Sequence, residues 1–172
     1  LVVSIDGTPS RKVVQAGIDA LKAVWHRGAV DADGKTGDGA GIHMQIPVPF
    51  FYDQIERTGH TPRMDELMAV GQVFLPRTDF GAQETCRTIV ETEVLRMGYY
   101  IYGWRHVPVN VSCLGEKANA TRPEIEQILV SNSKGVDEET FERELYVIRR
   151  RIEKAAQVSG IYGLYLASLS CR

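Results

Sequence analysis

The sequence predicts an α+β fold, in which helices and an antiparallel sheet pack in layers. Three segments repeat apolar residues at helical spacing. The β-rich runs between them often follow one another directly, so the regular strand-helix alternation of a doubly wound parallel sheet is absent. The chain has 172 residues, of which 44% are hydrophobic and 24% charged, and this composition is typical of one ordinary globular domain.

The N-terminal segment predicts a strand followed by a helix. Residues 1–5 are β-rich and end at an Asp-Gly turn signal, so the chain is expected to begin inside a strand. Ser10 is placed to cap a helix, and Pro9 suits its start. The apolar face of that helix repeats at spacings of three and four residues and consists of Val14, Ile18, Leu21 and Trp25.

The region around residues 41–76 predicts two more strands with a short helix between them. Residues 41–46 predict a strand that Pro47 ends, because proline lacks the N–H that a strand needs. A short helix is expected over residues 50–57. A further strand is predicted over residues 69–75, and Pro76 stops it.

The C-terminal half predicts two longer helices and three strands. One helix carries the stripe Cys86, Val90, Val94 and Met97 and ends at Gly98, a natural C-terminal cap. The last helix is capped by Asp137 and carries the stripe Phe141, Leu145, Ile148, Ile152 and Ala155. The predicted strands cover residues 99–107, 125–131 and 161–169, and residues 108–123 are expected to be a loop.

Charge and composition exclude several function classes. The formal net charge of −2 gives no field that would collect nucleic acid or anionic lipid. No apolar run approaches the roughly 20 residues that a membrane helix needs. The three cysteines are an odd number without CxxC spacing, which indicates neither a disulfide framework nor a zinc site. A reducing, cytoplasmic setting is expected.

The glycine-rich segment HRGAVDADGKTGDGAG, residues 26–41, is the clearest candidate for a site. A phosphate-binding P-loop ending at Gly34-Lys35-Thr36 would need glycine where Ala29 stands. Two aspartates in the loop would also repel phosphate. The spacing therefore disfavours nucleotide binding.

A calcium loop fits the same segment only at its start. Asp31 and Asp33 occupy the first and third ligand positions of an EF-hand, but the fifth position is Lys35. Thr36 stands where glycine is expected, and Ile42 where the bidentate glutamate is expected. Two hypotheses remain open from spacing alone: a surface connection of tight turns, or a ligand grip in which the Arg27 guanidinium orients a carboxylate or carbonyl.

Four strings of the sequence together are specific to one family. They are the loop HRGAVDADGKTGDGAGI, GWRHVPV at 103–109, ELYVIRRRIE at 144–153 and SLSCR at 168–172. In this order they resemble the N-terminal class II glutamine amidotransferase domain of the glutamate synthase large subunit, over the whole of residues 1–172. The resemblance implies one partial domain of the N-terminal nucleophile type, an αββα sandwich of two antiparallel sheets covered by helices.

The resemblance also implies a chemistry. In this family an N-terminal cysteine attacks the amide of L-glutamine, and the resulting thioester is hydrolysed to glutamate. The ammonia passes to a synthase site that aminates 2-oxoglutarate, with FMN and an iron–sulfur cluster in the parent enzyme and none in this segment. The implied partners are the remaining domains of the large subunit and a small electron-transfer subunit.

Site residues carry over from the family only where the motif matches. Arg27 falls at the position assigned to an active-site arginine, with His26 and Gly28 shaping its turn, and Asp38 and Gly39 are expected to line the same cavity. The nucleophilic cysteine is expected to precede Leu1, and no Asn-Gly pair for an oxyanion hole occurs in the sequence. We therefore expect the 172-residue chain alone to be inactive.

Two alternatives stay open beside this interpretation. Arg27 could be a surface residue paired with Asp31 or Asp33. The chain could also be a non-catalytic module that binds a ligand or a metal through the 31–41 Gly/Asp loop. Of the cysteines present, only Cys171 lies in a polar setting, and it is not N-terminal, so none is expected to be the nucleophile.

Overall fold

The computed structural model describes all of residues 1–172 and confirms the α+β class. The helices are α1 (Arg11–Ala23), α2 (Val48–Arg57), α3 (Phe80–Arg96), α4 (Glu116–Thr121) and α5 (Glu138–Val158). The strands are β1 (Met68–Leu75), β2 (Tyr100–His106), β3 (Glu124–Ser131) and β4 (Tyr165–Ser170). The chain forms two compact units, one of Leu1–Gln45 with Asn110–Arg122 and one of Ile46–Val109 with Pro123–Arg172.

The second unit is built on a four-stranded antiparallel sheet with the order β2-β3-β1-β4. One face of this sheet carries the main hydrophobic core, against which α3 and α5 pack. The helices contribute the predicted stripes, and Val90, Phe141 and Leu145 are fully buried. In α5 the last buried residue is Ala156, one position after the predicted Ala155. The core forms on this face because successive strand residues point to opposite sides of a sheet.

The opposite face of the sheet carries a smaller cluster under α2. Phe51 and Ile55 of α2 are buried there. They share the cluster with Met68, Val70, Tyr102 and Leu129 from the strands. Helix α2 begins with a proline in its first turn, where a missing N–H costs nothing, and this position explains why Pro49 does not break it.

The predicted helix signals act as expected. The Asp137 carboxylate accepts from the Thr140 amide at 3.0 Å and caps α5. The Ser10 hydroxyl accepts from the Val13 amide at 3.4 Å and caps α1. Gly98, which follows α3, has a φ of +81°, a conformation that favours glycine.

Four sequence predictions, all in or next to the first unit, are wrong. Residues 1–5 and 41–46 are not strands, because a strand needs a backbone partner and β-propensity alone cannot supply one. Residues 108–123 are not all loop, since they contain a 3₁₀ turn at Val111–Cys113 and helix α4. Helix α1 ends before Trp25, whose side chain is exposed.

No helix of the structure has both the length and the apolar character required to cross a membrane.

Candidate functional site

The entry to the glycine-rich segment is a tight turn that places Gly28 beside Asp38. A 3₁₀ turn covers Trp25–Arg27, and the Gly28 amide donates to the Trp25 carbonyl oxygen at 3.0 Å. A Cβ atom on Gly28 would lie 3.3 Å from that oxygen and 3.4 Å from Asp38 Oδ1. The two ends of the predicted site are therefore adjacent, and Gly28 leaves room for this approach.

Between these ends the chain folds into a small hairpin. Val30 and Gly37 form an antiparallel bridge at its base. The Asp31 amide donates to the Thr36 carbonyl oxygen at 2.8 Å, and the Gly34 amide donates back to the Asp31 carbonyl oxygen at 2.9 Å. Gly34 has a φ of +69°, so the tip of the hairpin needs a residue that tolerates the left-handed region.

Asp33 holds the hairpin together through its carboxylate. It accepts from the Thr36 hydroxyl at 2.5 Å, from the Thr36 amide at 2.7 Å and from the Lys35 amide at 2.9 Å. These hydrogen bonds, with that of the Thr36 hydroxyl the strongest, lower the pKa of Asp33 to about 2. Asp33 is therefore ionised at neutral pH, and its carboxylate satisfies the backbone amides of Lys35 and Thr36.

Asp31 is engaged by a residue distant in sequence. Its Oδ2 atom lies 2.7 Å from the Nζ atom of Lys117 in α4, within the same compact unit. Since Asp31 pairs with Lys117 and Asp33 binds the loop itself, neither forms the ion pair with Arg27 that the surface-arginine alternative requires. The structure contains no group of three or more His, Cys, Asp or Glu side chains that could hold a metal ion.

The remaining predicted site residues lie around the base of the hairpin. Arg27 and His26 are exposed in the 3₁₀ turn, and the Arg27 amide donates to the Val24 carbonyl oxygen at 2.9 Å. Asp38 is exposed next to Gly28. Gly39 has a φ of +86°, so the chain turns sharply after Asp38. Their roles in binding remain predictions.

Two residues that contact the loop were missed by the sequence interpretation. Gly115 approaches the hairpin so closely that a Cβ atom on it would lie 2.2 Å from Thr36 Oγ1 and 2.4 Å from Asp33 Oδ2. Lys117 forms the ion pair with Asp31. Both lie about 80 residues from the loop in sequence, and no local spacing rule connects them to it.

Trp104 and Arg105 make structural contacts on β2. Trp104 Nε1 donates to Glu91 at 2.7 Å. Arg105 Nη1 donates to Gln127 at 2.9 Å, and its guanidinium lies over the ring of Phe50. Two shallow surface cavities of about 310 and 350 Å³ lie along the same strand, and no residue of the glycine-rich segment lines either of them.

Cys171 should react much more slowly than Cys113 with a maleimide at pH 8. Burial and the hydrogen bond from Cys171 Sγ to Glu142, at 3.1 Å, raise the pKa of the Cys171 thiol to about 12. The reactive thiolate is then only about one part in ten thousand at that pH. Cys113 is exposed. Timed labelling of the full-length protein, followed by peptide mass mapping, measures both rates.

Glu142→Gln provides the control for this prediction, because it removes the negative charge that opposes thiolate formation. Labelling of Cys171 should then become faster while that of Cys113 is unchanged. Equal labelling rates for the two cysteines in the unmodified protein would contradict the assignment of Cys171 as a protonated, unreactive thiol.

Comparison with known proteins identifies the class to which this fold and loop belong. The family model described as glutamine amidotransferases class-II matches residues 1–172. The chain therefore belongs to the class II glutamine amidotransferases, an N-terminal nucleophile hydrolase family, as the resemblance predicted.

The curated relatives that the chain matches are glutamate synthases. The chain is 64% identical over 171 residues to the glutamate synthase [NADPH] large chain of Azospirillum brasilense, covering 99% of this chain and 11% of that protein. It is 38% identical over 171 residues to ferredoxin-dependent glutamate synthase 1 of Arabidopsis thaliana, covering 98% of this chain and 10% of that protein. It is 34% identical over 175 residues to the glutamate synthase [NADPH] large chain of Bacillus subtilis, covering 99% of this chain and 11% of that protein. The chain thus spans about a tenth of the length of these relatives.

Proposed function

We propose that this chain is the glutamine-hydrolysing domain of a glutamate synthase large chain. The observation that carries the proposal is the match of residues 1–172 to the class II amidotransferase family, together with 64% identity to a glutamate synthase over 99% of the chain. The geometry adds support, because the carboxylates that a calcium module would need are bound to Lys117 and to the loop itself.

The proposed reaction is hydrolysis of L-glutamine. A cysteine thiolate attacks the side-chain amide carbon, the C–N bond breaks, and ammonia leaves after taking a proton from the α-ammonium group of that cysteine. Water then hydrolyses the thioester, releases glutamate and returns the thiol. The cysteine and the oxyanion donors are expected outside residues 1–172, so the isolated chain should be inactive.

Within this reaction we assign substrate binding to the base of the hairpin. Arg27 carries a guanidinium that is exposed and forms no ion pair with Asp31 or Asp33. It can therefore bind a carboxylate or carbonyl of glutamine through two parallel hydrogen bonds. Gly28 and Gly39 let the backbone turn tightly there, His26 belongs to the same 3₁₀ turn, and Asp38 is proposed to line the same cavity.

The fate of the ammonia is proposed from the relatives. It would pass to a synthase site that aminates 2-oxoglutarate, with FMN and an iron–sulfur cluster in other domains and a small electron-transfer subunit as partner. The cysteines of this chain do not suit an iron–sulfur cluster, since Cys86 is buried in α3 and the Cys171 thiol is hydrogen-bonded to Glu142. Three free cysteines are compatible with the cytoplasmic location that we propose.

The test uses the full-length protein that contains this chain. It should release glutamate from glutamine and lose this activity after stoichiometric labelling by an electrophilic glutamine analogue such as a diazoketone. The 172-residue chain alone should do neither. Glutamine turnover by the isolated chain would overturn the expectation that the nucleophile lies outside residues 1–172. A full-length protein that is not labelled and does not consume glutamine would overturn the proposed function.

A further inference from the structure

Residues 110–122 touch the glycine-rich hairpin at a point that the glutaminase chemistry does not use. This segment belongs to the same compact unit as the loop. It contributes Gly115, which precedes α4, and Lys117 in the first turn of α4. The contacts are made to Asp31, Asp33 and Thr36, on the hairpin itself rather than at Arg27.

The contact at Gly115 leaves no space for a side chain. A Cβ atom there would lie 2.2 Å from Thr36 Oγ1, 2.4 Å from Asp33 Oδ2 and 2.6 Å from the Thr36 backbone nitrogen. All three distances are shorter than any normal contact, and the third involves backbone that cannot rotate away. Gly115 has a φ of −70°, which any residue adopts, so close packing and not backbone conformation requires glycine here.

Two charged interactions act at the same place. Lys117 Nζ lies 2.7 Å from Asp31 Oδ2. The Glu116 amide adds to the hydrogen bonds that lower the pKa of Asp33 to about 2, after the larger contributions of Thr36 and Lys35. Residues of the α4 side therefore contact the hairpin through the ion pair of Lys117 with Asp31 and the close packing of Gly115 against Asp33 and Thr36.

The hairpin directly adjoins the predicted glutamine-binding residues. Its base is closed by the bridge between Val30 and Gly37. Directly beyond that bridge, Gly28 and Asp38 lie next to each other, with Asp38 Oδ1 3.4 Å from the position of a Gly28 Cβ atom. A shift of residues 31–36 would be transmitted across the bridge to this pair and to Arg27, which precedes Gly28.

We infer that Gly115 and Lys117 are positioning residues for glutamine binding: they hold the Asp31–Thr36 hairpin and so set the geometry of Arg27, Gly28 and Asp38. This inference rests on the proposed function, because only a glutamine-binding role makes the position of these three residues matter. Gly115 is expected to contribute more to the position of the hairpin than Lys117, since the ion pair of Lys117 with Asp31 is exposed and stabilises the structure only weakly.

The test compares Gly115→Ala with Gly17→Ala in the full-length protein. Gly17 is a matched control, because it lies in α1 of the same unit and a Cβ atom on it would meet nothing within 4 Å. Gly115→Ala should raise the KM for glutamine about tenfold and change kcat much less, as expected when residues that bind the substrate are displaced. Gly17→Ala should leave both constants unchanged.

Hydrogen exchange supplies a readout that does not depend on activity. The amides of Asp31, Gly34, Lys35 and Thr36 are all bonded within the hairpin and should exchange several-fold faster in Gly115→Ala but not in Gly17→Ala. Asp33→Ala, which removes the hairpin's central acceptor, should reproduce both effects if Gly115→Ala fails to fold. Its matched control is Asp19→Ala, which removes an exposed aspartate of α1 in the same unit.

The outcomes separate this inference from the proposed function. Faster exchange together with a raised KM supports the inference. Faster exchange with an unchanged KM, or no change in exchange, overturns it and leaves the glutaminase assignment standing. If the unmodified full-length protein does not consume glutamine, the proposed function fails and the inference fails with it, whatever the hairpin does.

Discussion

Arg27→Ala in the full-length protein is expected to lower kcat/KM for glutamine by roughly 10- to 150-fold, because a hydrogen bond to a charged group contributes about 1.5–3 kcal/mol. The expectation follows from the position of Arg27 in the 3₁₀ turn before Gly28, with its guanidinium exposed and unpaired with the loop aspartates. The loss should fall mainly on KM. Steady-state release of glutamate over a range of glutamine concentrations measures both constants.

Two further variants make this prediction specific. Arg27→Lys keeps the positive charge but cannot form two parallel hydrogen bonds, so it should restore only a small part of the affinity. Arg11→Ala removes an exposed arginine of α1 in the same compact unit and should have no effect. If Arg27→Ala retained the KM and kcat of the unmodified protein, the assignment of Arg27 to the glutamine pocket would be wrong.

Local signals predicted most of the second unit correctly. The periodic stripes of α3 and α5, the Asp137 cap and the β-rich runs of β1 and β3 all depend on neighbours within a few residues. These signals agree with the tertiary packing because the same apolar residues form the core under α3 and α5. Propensity and packing therefore point to the same structure in this unit.

The first unit shows where such reasoning fails. Residues 1–5 and 41–46 have the composition of strands, but the structure gives them no strand partner. A strand is defined by its neighbour in the sheet, and a single sequence does not reveal that neighbour. Residues 1–5 thus remain irregular despite their apolar side chains.

Only the local turns of the candidate site follow from the sequence, and the roles of its residues in binding stay predictions. The turn at Arg27 and Gly28 and the sharp bend at Gly39 follow from glycine placement in a short segment, which is also part of the family motif. The contacts of Gly115 and Lys117 could not be predicted, because they join residues that are distant in the chain. Asp31 supports the hairpin through Lys117, whereas Asp33 supports it locally by binding Lys35 and Thr36.

Arg87→Met is expected to destabilise the second unit by about 3–5 kcal/mol, because it removes the guanidinium that pairs with the buried Glu126 carboxylate and leaves only the exposed His106 ring beside it. Glu126 of β3 is 1% exposed, and Arg87 of α3 binds both of its carboxylate oxygens, with Nε to Oε2 at 2.9 Å and Nη2 to Oε1 at 2.6 Å. The hydrogen bond to Glu126 also raises the pKa of Arg87, so the guanidinium stays charged. Hydrogen exchange of the β3 amides in the full-length protein measures the loss of local stability.

Two comparisons separate this buried pair from ordinary surface charge. Glu84→Ala removes another carboxylate that contacts Arg87, but its side chain is 74% exposed, and the loss should stay below about 1 kcal/mol. The double variant Arg87→Met, Glu126→Leu removes both charges and keeps similar volume, so it should recover most of the lost stability. If the double variant were as unstable as Arg87→Met alone, the destabilisation would come from lost packing, and the unpaired carboxylate would not be its cause.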